Sequence, residues 1–168
     1  MRSAFLTIAA AALTATAVHA EPATYAIDPT HTFATFEIGH FGASVNRGRF
    51  DKKEGSVQFD KAGRVGKVEL TFHINSINTG TAQFDKHLQS AEIFDAAKFP
   101  TAQFVGDKFT YEGDKLTAVS GNLTIKGKTQ DVVVPATFTA QGKTGIFDGR
   151  FTLRRGDFAI GEGPWAAF

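Results

Sequence analysis

The stretch from Lys67 to Asn75 constrains the fold more than any other: Val68, Leu70, Phe72 and Ile74 alternate with Lys67, Glu69, Thr71 and His73. A period of two puts successive side chains on opposite faces of an extended strand, so one face is dry and the other wet. The same rhythm recurs from Thr32 to Phe41, around Phe36, Ile38 and His40, and in a second run that closes on Val57 and Phe59. A bulge is expected before that closure, at the charged stretch Asp51-Lys-Lys-Glu-Gly55. Thr101 to Tyr111, Leu116 to Ile125, Gln130 to Ala140 and Gly145 to Arg155 complete the set. Glu112-Gly-Asp114, Lys126-Gly-Lys128 and Gln141-Gly-Lys143 supply the tight turns between them. Short strands with one apolar face predict an all-β, antiparallel sheet, and closing it into a barrel both covers that face and removes the sheet edges.

One segment departs from this rhythm. Gly80 to Phe99 carries Phe84, Leu88 and Ala91 at helical spacing, with Thr79 or Thr81 available as a cap and Pro100 as a stop. Its apolar face, continued by Ile93 and Phe94, is expected to point into the barrel, as a plug or as a lid.

Phe is the aromatic residue of choice, with 17 copies against 2 Tyr and 1 Trp. Tyr and Trp suit positions where a ring meets water or a partner. A chain that uses Phe almost alone has a large dry interior to line, whether a solid core or a cavity. Residues 1–20 read as an export signal: Arg2, an Ala-rich apolar run from Ala4 to Val18, then Val18-His-Ala20 as a cleavage site. The run is too short for a membrane span of roughly 18–20 residues. The remainder, residues 21–168, is one domain of 148 residues and is expected in the periplasm. The leader holds one of the 18 basic residues and none of the 17 acidic ones, so 17 of each remain. That balance speaks against a nucleic-acid partner and against a polybasic membrane patch. Without cysteine, disulfides, thiol nucleophiles and thiolate metal sites are excluded together.

Candidate chemistry is sparse. No nucleophile motif accompanies His31, His40, His73 or His87. His73 and His87 fall on polar faces. His40 continues the Phe36 and Ile38 face and should point inward. Asp28, His31 and His40 could be enlisted around a metal, but their spacing matches no familiar ligand set. Glu37 and Asp148 sit on the parity opposite the apolar faces, so paired inward carboxylates for hydrolysis are not evident. Arg154-Arg-Gly-Asp157-Phe158 reads as a salt-bridged rim.

Several separated motifs together resemble the YceI family of periplasmic polyisoprenoid-binding proteins. They are Asp28-x-x-His31, Phe36-x-Ile38-x-His40-Phe-Gly, Asp85-Lys-His-Leu-Gln-Ser90, Phe94-Asp-Ala-Ala-Lys-Phe-Pro100, Gly121-Asn-Leu-Thr-Ile-Lys-Gly127 and Arg155-Gly-Asp-Phe-Ala-Ile-Gly161. The resemblance runs in register from about Ala23 to the C-terminus. It implies a lipocalin-like barrel of eight antiparallel strands that encloses an isoprenoid or similar amphiphile, and a binding protein or carrier rather than an enzyme. Family members continue past Gly161-Glu-Gly-Pro-Trp165 into a last strand, so that strand is expected to be missing from this chain, which ends at Phe168.

With a lipid inside, the residues expected to line it are Phe36, Ile38, Val68, Leu70, Phe72, Phe84, Leu88, Phe104, Leu123, Val132, Val134 and Phe151, with His40 meeting a polar end. No cofactor is expected beyond a bound polyprenyl compound or isoprenoid quinone. A homodimer is compatible with the sequence. The competing readings are a barrel-based enzyme or metal-binding protein using His31 and His40, and an interaction module with a solid core.

Overall fold

The computed structural model describes residues 23–60 and 63–163, so the expected leader over residues 1–20 and the residues from Pro164 onward lie outside them. The described residues form ten strands: β1 (Ala23–Ala26), β2 (Ala34–His40), β3 (Ser44–Phe50), β4 (Lys53–Asp60), β5 (Val65–His73), β6 (Ile77–Asn78), β7 (Thr101–Glu112), β8 (Lys115–Ile125), β9 (Lys128–Gln141) and β10 (Thr144–Gly149). All pairings are antiparallel, in a seven-stranded sheet of order β1-β4-β5-β7-β8-β9-β10 and a three-stranded sheet of order β2-β3-β6. Together they form the nearly closed barrel that the alternation predicts. Setting aside the four-residue β1 and the two-residue β6, eight strands of six residues or more remain among the described residues.

The charged stretch at 51–55 is a corner rather than only a bulge. The chain leaves one sheet at Phe50 and enters the other at Lys53. Asp51 N–H donates to Ser76 O at 3.0 Å, Lys52 N–H to Ser76 Oγ at 2.9 Å, and His73 N–H to Lys52 O at 3.0 Å. The corner is thereby strapped to the 3₁₀ turn Ile74–Ser76, which leads into β6. Gly55 follows with φ 154°, and a side chain there would strike the Glu69 carbonyl. In β7 the parity flips at a bulge between Gly106 and Lys108: Ala102 and Phe104 face inward before it, Phe109 and Tyr111 after it.

Expectation and structure part at the end of β10. The strand predicted to run to Arg155 stops at Gly149. Gly149 pairs with Ala136, and the next position opposite is Pro135. Arg150 N–H still reaches Pro135 O at 3.2 Å, so this side of Pro135 faces β10, and here the ring nitrogen has no hydrogen to return. The ladder ends for want of a donor. Phe151 and Leu153 emerge 39% and 38% exposed rather than lining the interior. Across the seam Arg150 Nη2 lies 3.5 Å from Glu37 Oε2 on β2, linking the free edges of the two sheets.

The helical segment is also shorter than its periodicity suggests. Helix α1 covers Ala82–Leu88, and from there the chain winds through hydrogen-bonded turns to Pro100. Thr81 stands at the N-cap without a side-chain bond; instead Asp85 reaches back to accept from Thr79 N–H at 2.7 Å and Thr79 Oγ1 at 2.6 Å. Ile93 is buried in the core, with Leu88 and Phe94 packed on it, whereas Phe84 stacks on His87 with ring centroids 6.5 Å apart. Among the described residues no helix is long and apolar enough to cross a membrane.

Candidate functional site

Antiparallel pairing brings the start of β2, the end of β3, the start of β4, the end of β5 and the start of β7 to one end of the barrel, beside α1. The hairpin tips at Gly113 and Gly142 mark the other end. On one side the helical end is sealed. Ile74, Ile77, Ile93, Ile125, Phe158 and Ile160 are all buried there, Phe158 with 1% of its surface exposed. The segment read as a salt-bridged rim is thus better described as a plug. Phe158 and Ile160 drop into the core, while Lys126 Nζ and Gln130 Nε2 donate to the main-chain oxygens of Ala159 and Asp157 at 2.9 and 3.0 Å. Their i, i+2 spacing was the available signal; the flanking charges obscured it.

The other side of this end is open. A hollow of about 230 Å³ lies between the two sheets, lined by Thr30, Phe33, Ala34, Arg49, Phe50, Asp51 and Lys53. Behind it Phe50 meets Phe36, Phe72 and Phe94 at 5.8, 6.0 and 6.3 Å between ring centroids. Phe36 lies flat because its cross-strand partner is Gly48, where a methyl group would land on the ring. Lys53 projects inward from β4 in phase with Val57 and Phe59 and is only 9% exposed. It lies in the charged stretch expected as a bulge, yet counting back by twos from Phe59 places it on the inward face. A second hollow, of about 310 Å³, lies on β8–β10 among mostly outward residues such as Lys115, Thr137 and Asp148.

Of the residues nominated as lining, Val68, Phe104 and Leu123 are in the buried core, and Leu70, Phe72, Leu88, Val132 and Val134 pack against it. Phe36 is half-buried at the open side. Ile38 is 37% exposed and His40 is exposed, its ring edge-on to Phe41 at 4.4 Å. The expectation that His40 points into the interior fails because it ends β2, beyond the covered part of the sheet, where its partner is Ser44, the first residue of β3. Phe84 and Phe151 stand outside the core as described above.

The polar candidates do not assemble. His31 Nδ1 and Asp28 Oδ2 are 2.7 Å apart on an exposed turn, and the hydrogen bond from His31 holds the Asp28 carboxyl below its ordinary range. His40 is elsewhere, and no cluster of three metal-ligating side chains occurs among the described residues. His73, expected on a solvated face, instead holds Glu54 Oε1 at 3.0 Å across the strand pair. Glu37 faces outward and binds Arg47 at 3.0 Å.

Comparison with known proteins converges on one family. The YceI-like domain model matches residues 25–167. Protein YceI of Salmonella arizonae is 37% identical over 169 residues, covering 95% of this chain and 88% of its own. A UPF0312 protein of Pseudomonas savastanoi is 37% identical over 152 residues, covering 84% and 79%. Among solved structures, BcnA of Burkholderia cenocepacia superposes with a TM-score of 0.77 at 30% identity, over 83% of this chain and 87% of that one. A Saccharophagus degradans domain described as polyisoprenoid-binding shares the fold, at TM-score 0.56 and 17% identity over 83% and 78%.

Proposed function

The chain belongs to the YceI family, and from that premise we propose that it binds a long apolar molecule of the polyisoprenoid type inside the barrel, as an exported carrier in the periplasm. One observation carries the reading: the helical end of the barrel, sealed on one side by Phe158 and its buried neighbours, holds on its other side a hollow backed by half-buried phenylalanines. Export rests on the leader-like residues 1–20. Each buried methylene contributes about 0.8 kcal/mol, so a few isoprene units give firm binding with little polar help. The hollow alone is below the roughly 300–1,000 Å³ of an ordinary small-molecule pocket. Entry of a chain therefore requires Phe36, Phe50 and Phe72 to turn aside, and their half-buried state makes them the rings free to do so. Val68, Leu70, Phe104, Leu123, Val132 and Val134 would then form the wall that the chain meets.

The same modest volume favours a second reading, an interaction module with a solid core. Native mass spectrometry and lipid extraction of the purified protein separate the two. A co-purifying prenyl lipid, or uptake of one added to the emptied protein, is the expected result. A barrel that carries no lipid and ignores added ones would leave the interaction module standing.

A further inference from the structure

Lys53 is an unusual residue to find in this interior. A buried ammonium is costly unless paired, and natural cores rarely keep one without a partner. Here the residue as a whole is only 9% exposed, and its one hydrogen bond is a part-buried 3.3 Å contact from Nζ to the main-chain oxygen of Asp51. No carboxylate lies within ion-pairing distance of it among the described residues. The Asp51 carboxylate shares the hollow but is engaged elsewhere: Oδ1 accepts from Arg49 Nε at 2.6 Å and Oδ2 from Asn78 Nδ2 at 2.8 Å. Phe33 offers its ring 6.0 Å away, at the long end of a cation–π contact. The hollow thus combines an apolar back wall, Phe50 and Ala34, with two cations and one already neutralised acid.

We propose that Lys53 anchors an anionic head group, so that the barrel selects amphiphiles ending in phosphate or carboxylate over neutral alcohols bearing the same chain. The inference rests on the lipid-binding reading above and deepens it by assigning the polar end. An oxyanion in the hollow would receive the Nζ donors that the protein leaves unused, while the chain runs past Phe50 toward the barrel axis. Charge-assisted hydrogen bonds are roughly twice as strong as neutral ones, and a desolvated site amplifies them. The stem of Lys53 is already ordered by burial, so little side-chain entropy is lost on binding.

The test is a titration of the lipid-stripped protein with farnesol, farnesyl monophosphate and farnesoic acid, with inorganic phosphate as control. Wild type should bind the two anions about tenfold more tightly than the alcohol. Lys53→Met, which keeps the stem length, should bring the affinity for both anions down to that for the alcohol. Lys53→Arg should restore the preference, and this variant guards against reading a fold defect as a lost contact. The ratio of phosphate to carboxylate affinity tells which head group fits. Equal wild-type affinities for anion and alcohol, or a preference that survives in Lys53→Met, would overturn the anchor while the lipid reading stands. Inorganic phosphate binding as tightly as farnesyl monophosphate would mean that the chain adds nothing, and would overturn the lipid reading together with the head-group anchor built on it. Failure of folded wild type to bind farnesol or either anion would overturn both.

Discussion

At the hairpin end of the barrel Phe59 lies 4.7 Å from Phe138 and 5.8 Å from both Phe109 and Phe147, and Phe138 and Phe147 are 4.6 Å apart. At the helical end Phe50 holds its three ring neighbours at 5.8 to 6.3 Å, beside a hollow and a buried lysine. The same residue type forms a tight four-ring cluster at one end and a looser group at the other. The difference lies in what surrounds the rings. The hairpin-end cluster straddles β4, β7, β9 and β10 of one continuous sheet, whereas the helical-end group spans the gap between two sheets. Packing is dense where one sheet curves over itself and slack where two sheets meet.

The sharpest way to break this comparison is to remove one ring from each group. Phe59→Ala should cost about 3–5 kcal/mol in urea unfolding, the usual range for truncating a buried phenylalanine. Phe36→Ala, half-exposed over Gly48, should cost closer to 1 kcal/mol because less area leaves water on folding. Phe158→Ala, on the sealed side of the helical end, should fall with Phe59 at about 3–5 kcal/mol. Similar losses for Phe36 and Phe59 would mean that the two groups are one core, and the opening at the helical end would lose its meaning.

How much of this contrast could be read from the chain depends on the kind of information each feature needs. Alternation in Lys67–His73 marks β5 and its dry face, because the period of two runs unbroken to the end of that strand. The turns at Gly113, Gly127 and Gly142 were equally legible, since each carries a positive φ that glycine adopts without strain. The end of β10 was not, because the missing hydrogen belongs to Pro135 on the neighbouring strand and register is not written locally. Lys53 was hidden for another reason. A charged run looks solvated unless the phase of Val57 and Phe59 is carried back through it, and the corner at Asp51 invites one to stop counting. His40 shows the converse: correct parity puts a residue on the inward side, but burial requires something opposite, and at the end of β2 there is little.

Two substitutions should raise stability, one at each end. If Lys53 is kept for a ligand, the protein without lipid carries an unpaired buried charge, and Lys53→Met should be neutral or stabilising by up to about 2 kcal/mol. At the hairpin end the hydroxyl of Tyr111 is buried without a protein partner, and burial outweighs the Arg64 guanidinium 5.7 Å from the ring in pushing its pKa up. Tyr111→Phe should therefore be neutral or stabilising by up to about 1 kcal/mol. Thermal unfolding of both variants measures the effects side by side. A clear loss in Lys53→Met would show that the ammonium supports the fold itself, which removes the reason to look for a ligand anion.

The smallest expected effect concerns the rim of the open end. Hydrogen bonds from Asn78 and then Arg49, with a lesser contribution from the charge on Lys53, hold the Asp51 carboxyl below its ordinary range. A carboxylate whose pKa is lower folded than unfolded stabilises the protein above its unfolded value of about 3.9, and that contribution fades as pH falls through the folded value. Between the two values the unfolded chain binds more protons, so stability rises with pH there and is level above. Asp51 is nearly half exposed, at 47% for the side chain, so solvent screening limits its contribution to a few tenths of a kcal/mol, and at most about 1. Urea midpoints of wild type and Asp51→Asn, compared between about pH 5 and pH 2, isolate this carboxylate from Asp28, which titrates over the same window in both proteins. The gap between the two curves should narrow as the medium becomes acid. A gap much larger than 1 kcal/mol at neutral pH would mean that the corner strapped to Asn78 and Ser76, rather than the rings around Phe50, holds the two sheets together at the open end.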